Sequence, residues 1–160
     1  MDPQKPKKVL GRAEQISFPE IDSPDIYARI DSGARTSALW VSYAEVEDGR
    51  LAVTFFGPGH PAYTGEKKYF DAFDKDIVTS STGHRQQRYK IKLSVVLKKR
   101  RIKATFTLAD RSTQVYPVLI GRNVLRGKFV VDVTLGKVLR QEEQELRRKN
   151  QLELGQENQP

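Results

Sequence analysis

The residues best suited to chemistry are Asp31-Ser32-Gly33-Ala34, delivered by the apolar-edged run Tyr27-Ala28-Arg29-Ile30. Glycine lets the chain turn tightly there and approach a partner closely. The small Ser32 hydroxyl can hydrogen-bond a neighbouring main-chain group and pin the loop. A lone carboxylate is a weak hydrolytic group near neutral pH. Two carboxylates about 3 Å apart cannot both ionise, so they share one proton. One then acts as base toward a water and the other as acid toward a carbonyl oxygen. The chain holds one Asp-Ser-Gly, so dyad chemistry requires a second copy. An isologous homodimer would place both Asp31 residues on its two-fold axis. The same tetrapeptide is also an ordinary turn in which Asp caps its own loop, and on residue types alone both readings stay open.

The elements that must position this loop follow from period-two apolar patterning and turn residues. Val9 to Pro19 is expected as a first strand with Ile16 and Phe18 on one face, and Ile26 to Ile30 as a second that runs into Asp31. Thr36 to Tyr43 continues as strand with Leu39 and Val41 inward, and Leu51 to Phe56 is rich in β-branched and aromatic residues. Gly57-Pro58-Gly59-His60-Pro61 is a loop. Tyr69 to Thr79 is expected to be extended, with Phe70, Phe73, Ile77 and Val78 as candidates for burial, before a turn at Ser80-Ser81-Thr82-Gly83. Strands Arg88 to Leu97 and Ile102 to Leu108 form a hairpin through Lys98-Lys99-Arg100-Arg101. Tyr116 to Ile120 is an apolar strand, followed by one helical turn over Asn123 to Arg126 and a last strand over Phe129 to Leu135. Short strands between frequent turns indicate an all-β barrel or sandwich. The expected organisation is a flexible N-terminus over 1–8, one domain over 9–137, and a polar tail over 138–160 that is partly helical or disordered.

Composition narrows the function classes. A chain of 160 residues is one domain with room for a core. No window approaches a membrane-spanning apolar stretch, and Met1-Asp2-Pro3-Gln4-Lys5-Pro6 lacks the apolar centre of a secretion signal, so a cytoplasmic protein without a membrane partner is expected. Cysteine is absent, which removes disulfides, thiolate metal sites and cysteine nucleophiles. The net charge is +8 although the last twenty residues lean acidic, so the body is basic and attracts anionic partners. With only His60 and His84 and no His-Glu-x-x-His, ligand supply argues against a metal centre. No Gly-x-x-x-x-Gly-Lys-Ser/Thr loop supports nucleotide binding, and no Gly-x-Ser-x-Gly supports a serine triad. No cofactor is expected. The main non-enzymatic rival is nucleic-acid binding by Lys98-Lys99-Arg100-Arg101 with Lys90, Lys92 and Lys103. Such a charge run is more often a solvated turn that blunts an edge strand.

A second stretch, Val118-Leu119-Ile120-Gly121-Arg122-Asn123, gives the Asp31 motif its weight. A strand delivering Asp into Ser-Gly, with a later apolar run ending in Gly-Arg-Asn, resembles the retropepsin-like aspartic proteases. The closer resemblance is to a bacterial family of retropepsin-like aspartic endopeptidases formerly labelled ATP-dependent zinc proteases. It is carried by Ala28-Arg29-Ile30-Asp31-Ser32-Gly33-Ala34-Arg35-Thr36-Ser37-Ala38-Leu39, Ser80-Ser81-Thr82-Gly83, Asp110-Arg111 and Tyr116-Pro117-Val118-Leu119-Ile120-Gly121-Arg122. The resemblance implies a closed β-barrel with one lobe per chain, Asp31 as the catalytic residue of a homodimer, and a catalytic loop of Ser32, Gly33 and Ala34. It implies a flap over Thr79 to Tyr89 with Ser80, Ser81, Thr82 and Gly83 at its tip, and Gly121, Arg122 and Asn123 as a brace behind the loop. Family members are associated with ATP-grasp ligases that add glutamates to protein ends. The resemblance therefore implies a peptide or acidic protein-tail substrate, with poly-glutamate extensions as one possibility, and Arg35, Arg85 and Arg88 are candidates to bind its carboxylates.

Two departures from the retroviral pattern stand out. The position after Ala34, commonly acidic there, is Arg35. Arg122 is thus expected to face a like charge or to find another acid, with Asp110 and Asp132 as candidates. The stretch from Ala44 to Phe73 is longer than in retroviral subunits and is expected to widen the cleft, form a lid or extend the dimer surface. A non-catalytic peptide- or nucleic-acid-binding module on the same fold is the alternative.

Overall fold

The computed structural model describes residues 5–79 and 82–136. Ser80, Ser81, the side chain of Val78 and the tail expected over 138–160 lie outside the described residues. The described chain is all-β apart from two short turns of helix. Its strands are β1 (Lys8–Leu10), β2 (Ala13–Ser17), β3 (Ile26–Ile30), β4 (Ser37–Glu47), β5 (Arg50–Phe55), β6 (Lys68–Phe70), β7 (Asp74–Thr79), β8 (Arg85–Leu97), β9 (Arg100–Ala109), β10 (Val118–Ile120) and β11 (Phe129–Val131). A 3-10 turn covers Pro19–Ile21, and the helix α1 covers Arg122–Leu125.

The pairings run round a ring, β10–β3–β2–β8–β9–β4, and return to β10, which also pairs with β4. Side chains alternate inward and outward along its strands. In β3, Ile26, Ala28 and Ile30 are buried while Arg29 is exposed. The inward set, which includes Phe18, Leu39, Leu93, Leu97, Phe106, Val118 and Ile120, fills the interior. Phe18 and Phe106 meet there edge to face, with centroids 5.3 Å apart. Strands β5 and β6 extend the sheet beyond β4. The long segment 44–73 therefore supplies an antiparallel extension of the ring, in β4, β5 and β6, and a loop between β5 and β6.

The first expected strand is broken. β1 pairs in parallel with β11, whereas β2 pairs with β3 and β8. The break falls at Gly11, whose N–H donates to the Glu14 carboxylate at 2.8 Å. A Cβ on Gly11 would lie 2.9 Å from the backbone of Leu135, so glycine is what lets the two chain ends pass each other. The expected extended run at 69–79 is likewise split, into β6 on β5 and β7 on β8. Phe70 and Phe73 are partly buried, but Ile77 is 66% exposed, contrary to expectation. Among the described residues β7 pairs only with β8, at the margin of the sheet, which leaves the Ile77 side chain uncovered.

The β8–β9 hairpin turns at Lys98 and Lys99, both left-handed with φ of 49° and 64°. The last strand ends at Val131 rather than near Leu135: the Asp132 N–H still donates to the Leu10 carbonyl at 2.8 Å, but the chain then turns, with the Leu135 N–H on the Asp132 carbonyl at 3.1 Å. The Asp132 carboxylate accepts from the Thr134 N–H and hydroxyl, which holds it below the usual carboxylate range. Among the described residues, no helix is long and apolar enough to cross a membrane.

Candidate functional site

Asp31 follows directly on β3, and its N–H donates to the Ile120 carbonyl of β10 at 2.9 Å. The parallel β3–β10 pair thus ends with Asp31 beside Gly121. Asp31 is half-buried. Its Oδ1 accepts the Gly33 N–H at 2.9 Å, and its carbonyl accepts the Ala34 N–H at 3.2 Å. The loop therefore winds around its own carboxylate, the local capping that Asp-x-Gly turns favour. The Ser32 hydroxyl is exposed and has no hydrogen bond among the described residues.

The loop is held from behind by residues distant in sequence. Arg122 donates through its N–H to the Ala34 carbonyl at 2.8 Å, and through Nη1 to the carbonyls of Ser32 and Gly33 at 3.2 and 3.0 Å. Asp110 and Asp132, the acids expected as candidate partners of Arg122, do not pair with it among the described residues. Both carboxylates bond local N–H groups, of Ser112 and Thr134. The guanidinium needs no acid here, because the turn aims two backbone carbonyls at it and charge-assisted bonds to carbonyls are strong.

Behind this contact lies Ser37, fully buried at the start of β4. Its hydroxyl accepts the Gly121 N–H at 2.9 Å and donates to Asn123 Oδ1 at 2.7 Å, while Asn123 Nδ2 donates to the Thr105 carbonyl at 2.8 Å. A Cβ on Gly121 would fall 2.2 Å from the Thr36 carbonyl oxygen and 2.9 Å from that of Ala34. Glycine is required at 121 because two backbone segments close on it. Gly121, Arg122, Asn123 and Ser37 thus join β4, β9, β10 and the Asp31 loop into one network. No role had been read for Ser37 from the sequence. The only signal was its place in the run Asp31 to Leu39.

The stretch expected as a flap is the β7–β8 hairpin, in whose turn Gly83 is left-handed (φ 84°). Thr82, Gly83 and Arg85 are exposed, and Arg88 is half-buried. Arg35 is exposed beside the Asp31 loop. A cavity of about 480 Å³ opens between β6–β7 and β8–β9, lined among others by Phe70, Phe73, Lys90 and Lys103. None of its lining residues belongs to the Asp31 loop.

His60 does not serve as a metal donor in this arrangement. It stacks on Phe56 at 4.7 Å, packs edge to face on Trp40, and accepts the Ala62 N–H on Nδ1 at 3.0 Å. Burial lowers its pKa below the ordinary value and favours the neutral ring. Among the described residues, no three His, Asp or Glu side chains cluster to hold an ion. The donor set does not fit a catalytic zinc.

Residues 9–143 match the RimB-like family, described as retropepsin-like aspartic endopeptidase RimB. The chain is also similar to proteins named "Probable alpha-L-glutamate ligase". The relative from Desulfotalea psychrophila is 30% identical over 135 residues, which cover 81% of this chain and 29% of the relative. The relative from Shewanella pealeana is 30% identical over 132 residues, 79% of this chain and 28% of its own length. The chain thus spans under a third of the length of the curated relatives it matches. Among solved structures, a Legionella pneumophila protein of unknown function shares the fold. Its TM-score is 0.51 at 17% identity, covering 82% of this chain and 97% of that one.

Proposed function

This chain belongs to the RimB-like family of retropepsin-like aspartic endopeptidases, and we propose that it hydrolyses peptide bonds through Asp31 paired with Asp31 of a second copy. The observation that carries this reading is the braced loop. Arg122, Gly121 and the Ser37–Asn123 pair fix a half-buried carboxylate at the end of β3 far more firmly than a solvated turn requires. One chain supplies one such carboxylate, so the working site lies on the two-fold axis of a homodimer. The ionised member of the pair takes a proton from water as the water oxygen attacks the scissile carbonyl. The protonated member gives its hydrogen to the carbonyl oxygen. As the tetrahedral adduct collapses, the C–N bond breaks and a proton passes to the leaving amine. The Gly33 N–H on the Asp31 carboxylate and the Ser32 and Gly33 carbonyls on Arg122 hold the loop, without the Ser32 hydroxyl, and the β7–β8 hairpin closes over the peptide.

The substrate reading is an acidic peptide extension, poly-glutamate in particular. It is supported by the basic body and by relatives whose name denotes glutamate ligation. A peptidase that removes what a ligase adds is a coherent chemical pairing. The test is Asp31→Asn. Asparagine keeps the size of the side chain and an oxygen to accept the Gly33 N–H, so folding should persist while cleavage of an oligoglutamate-tailed protein is lost. Full cleavage by the folded variant refutes the proposal.

A further inference from the structure

Three arginines from three separate elements lie close enough for their charges to act on one another, and one of them, Arg29, is two residues from Asp31. Arg29 lies on the exposed face of β3, two residues before Asp31 and on the same side of the strand. Its register partner on β10 is Leu119. Arg111 lies in the connection between β9 and β10, where its Nε donates to the Tyr116 carbonyl at 3.1 Å and holds it against the start of β10. Arg88 lies on the flap strand β8. Continuing the β8–β9 register from Lys90↔Thr107 sets Arg88 opposite Ala109, just before Arg111.

No ion pair offsets these charges. Among the described residues, none of the three contacts a carboxylate within salt-bridge distance. The acid opposite Arg88 on β7, Asp76, is taken by Lys90. Asp110, next to Arg111, is exposed and bonds the Ser112 N–H. Arg88 has only a 3.4 Å contact to the Gln86 amide oxygen. Arg111 is half-buried, and its proton affinity is lowered by burial first and then by the charges of Arg29 and Arg88. Holding a guanidinium partly out of water against two like charges is unfavourable unless an anion joins it.

We propose that Arg29, Arg88 and Arg111 form a carboxylate subsite that grips an acidic side chain of the substrate about two residues from the bond over Asp31. This inference rests on the peptidase reading for its placement. The spacing favours a peptide over a nucleic acid. Residues two apart on an extended chain lie roughly 6–7 Å apart on one face, which is also the separation of Arg29 from Asp31 along β3. A substrate strand with its scissile bond at Asp31 thus brings a same-face side chain to the arginines. Guanidinium forks then hold the carboxylate in bidentate fashion.

The experiment measures binding and cleavage separately. Binding of an oligoglutamate peptide and its oligoglutamine counterpart is followed on the Asp31→Asn protein, alone and combined with Arg29→Gln, Arg88→Gln or Arg111→Gln. Cleavage of both peptides is followed with Asp31 intact. The expected result is preference for the glutamate peptide, reduced roughly tenfold to a hundredfold by each arginine change. Arg29→Gln and Arg88→Gln should not lower the unfolding temperature, because each relieves repulsion on Arg111, whereas a merely structural arginine would lower it. Equal binding of the two peptides, or a preference untouched by all three changes, overturns the subsite. Tighter arginine-dependent binding of a single-stranded oligonucleotide than of oligoglutamate also overturns it. Arginine-dependent glutamate binding without cleavage would leave the subsite standing and sink the peptidase reading. Cleavage indifferent to the arginines would do the reverse.

Discussion

Replacing Ser37 by alanine isolates the brace behind the Asp31 loop. The hydroxyl is fully buried and makes two bonds, accepting from the Gly121 N–H and donating to Asn123 Oδ1. Alanine leaves the buried Gly121 N–H without a partner, which costs about 1–3 kcal/mol. Asn123 is exposed, so its oxygen can turn to water and the loss there is about 0.5–1.5 kcal/mol. Together these come to about 1.5–4.5 kcal/mol, a large share of the stability of a domain this size. Urea unfolding should show a lower midpoint at unchanged slope, since the unfolded surface is the same. Asn123→Ala removes the shared bond and the bond to the Thr105 carbonyl. In a double-mutant cycle the two changes should couple by about 0.5–1.5 kcal/mol. Peptide cleavage should fall in both single variants, because Gly121 and Arg122 set the position of the Asp31 loop. A Ser37→Ala cost under about 0.5 kcal/mol, or independent behaviour of the two sites, would refute the network.

Gly121→Ala should fail to give a native loop, since its Cβ would meet two backbone carbonyls that have no room to retreat. Loss of the cooperative unfolding transition, or a drop of more than about 4 kcal/mol, is the expected readout. Lys99→Gly should stabilise the fold by about 0.5–1 kcal/mol, because φ at 99 is 64° and glycine reaches that region without strain. Thermal unfolding checks this, with peptide cleavage unchanged. His60 has a folded pKa below its ordinary 6.5 because it is buried between Trp40 and Phe56. The unfolded chain therefore takes up the proton first as pH falls. The His60 contribution is present above about pH 6.5 and is lost progressively below it. Urea midpoints at pH 7.5 and 5.5 should fall further in the native protein than in His60→Gln.

What the sequence carried was short-range. Asp31-Ser32-Gly33-Ala34 contains its own turn, with the carboxylate capping the Gly33 N–H, and needs no distant partner to be legible. Period-two patterning placed most of the strands, and Lys98-Lys99-Arg100-Arg101 marked the hairpin correctly. The all-β class followed from these local signals. The miss at Ile77 came from reading burial out of hydrophobicity. Whether an apolar residue is covered depends on what packs over its strand, and among the described residues Ile77 of β7 is left exposed.

Tertiary structure alone decided which partners meet. Ser37 and Asn123 are 86 positions apart, and their bond exists because β4 and β10 close the ring beside Gly121. Arg122 found carbonyls instead of an acid because the loop turns them toward it. Arg29, Arg88 and Arg111 lie on strands and a connection that no local pattern relates. Turn chemistry and side-chain alternation are set within a few residues, so a sequence displays them. Strand register and ring closure are set by the whole core, and these bring the Asp31 loop onto its brace and let the charges of Arg29 and Arg88 reach Arg111.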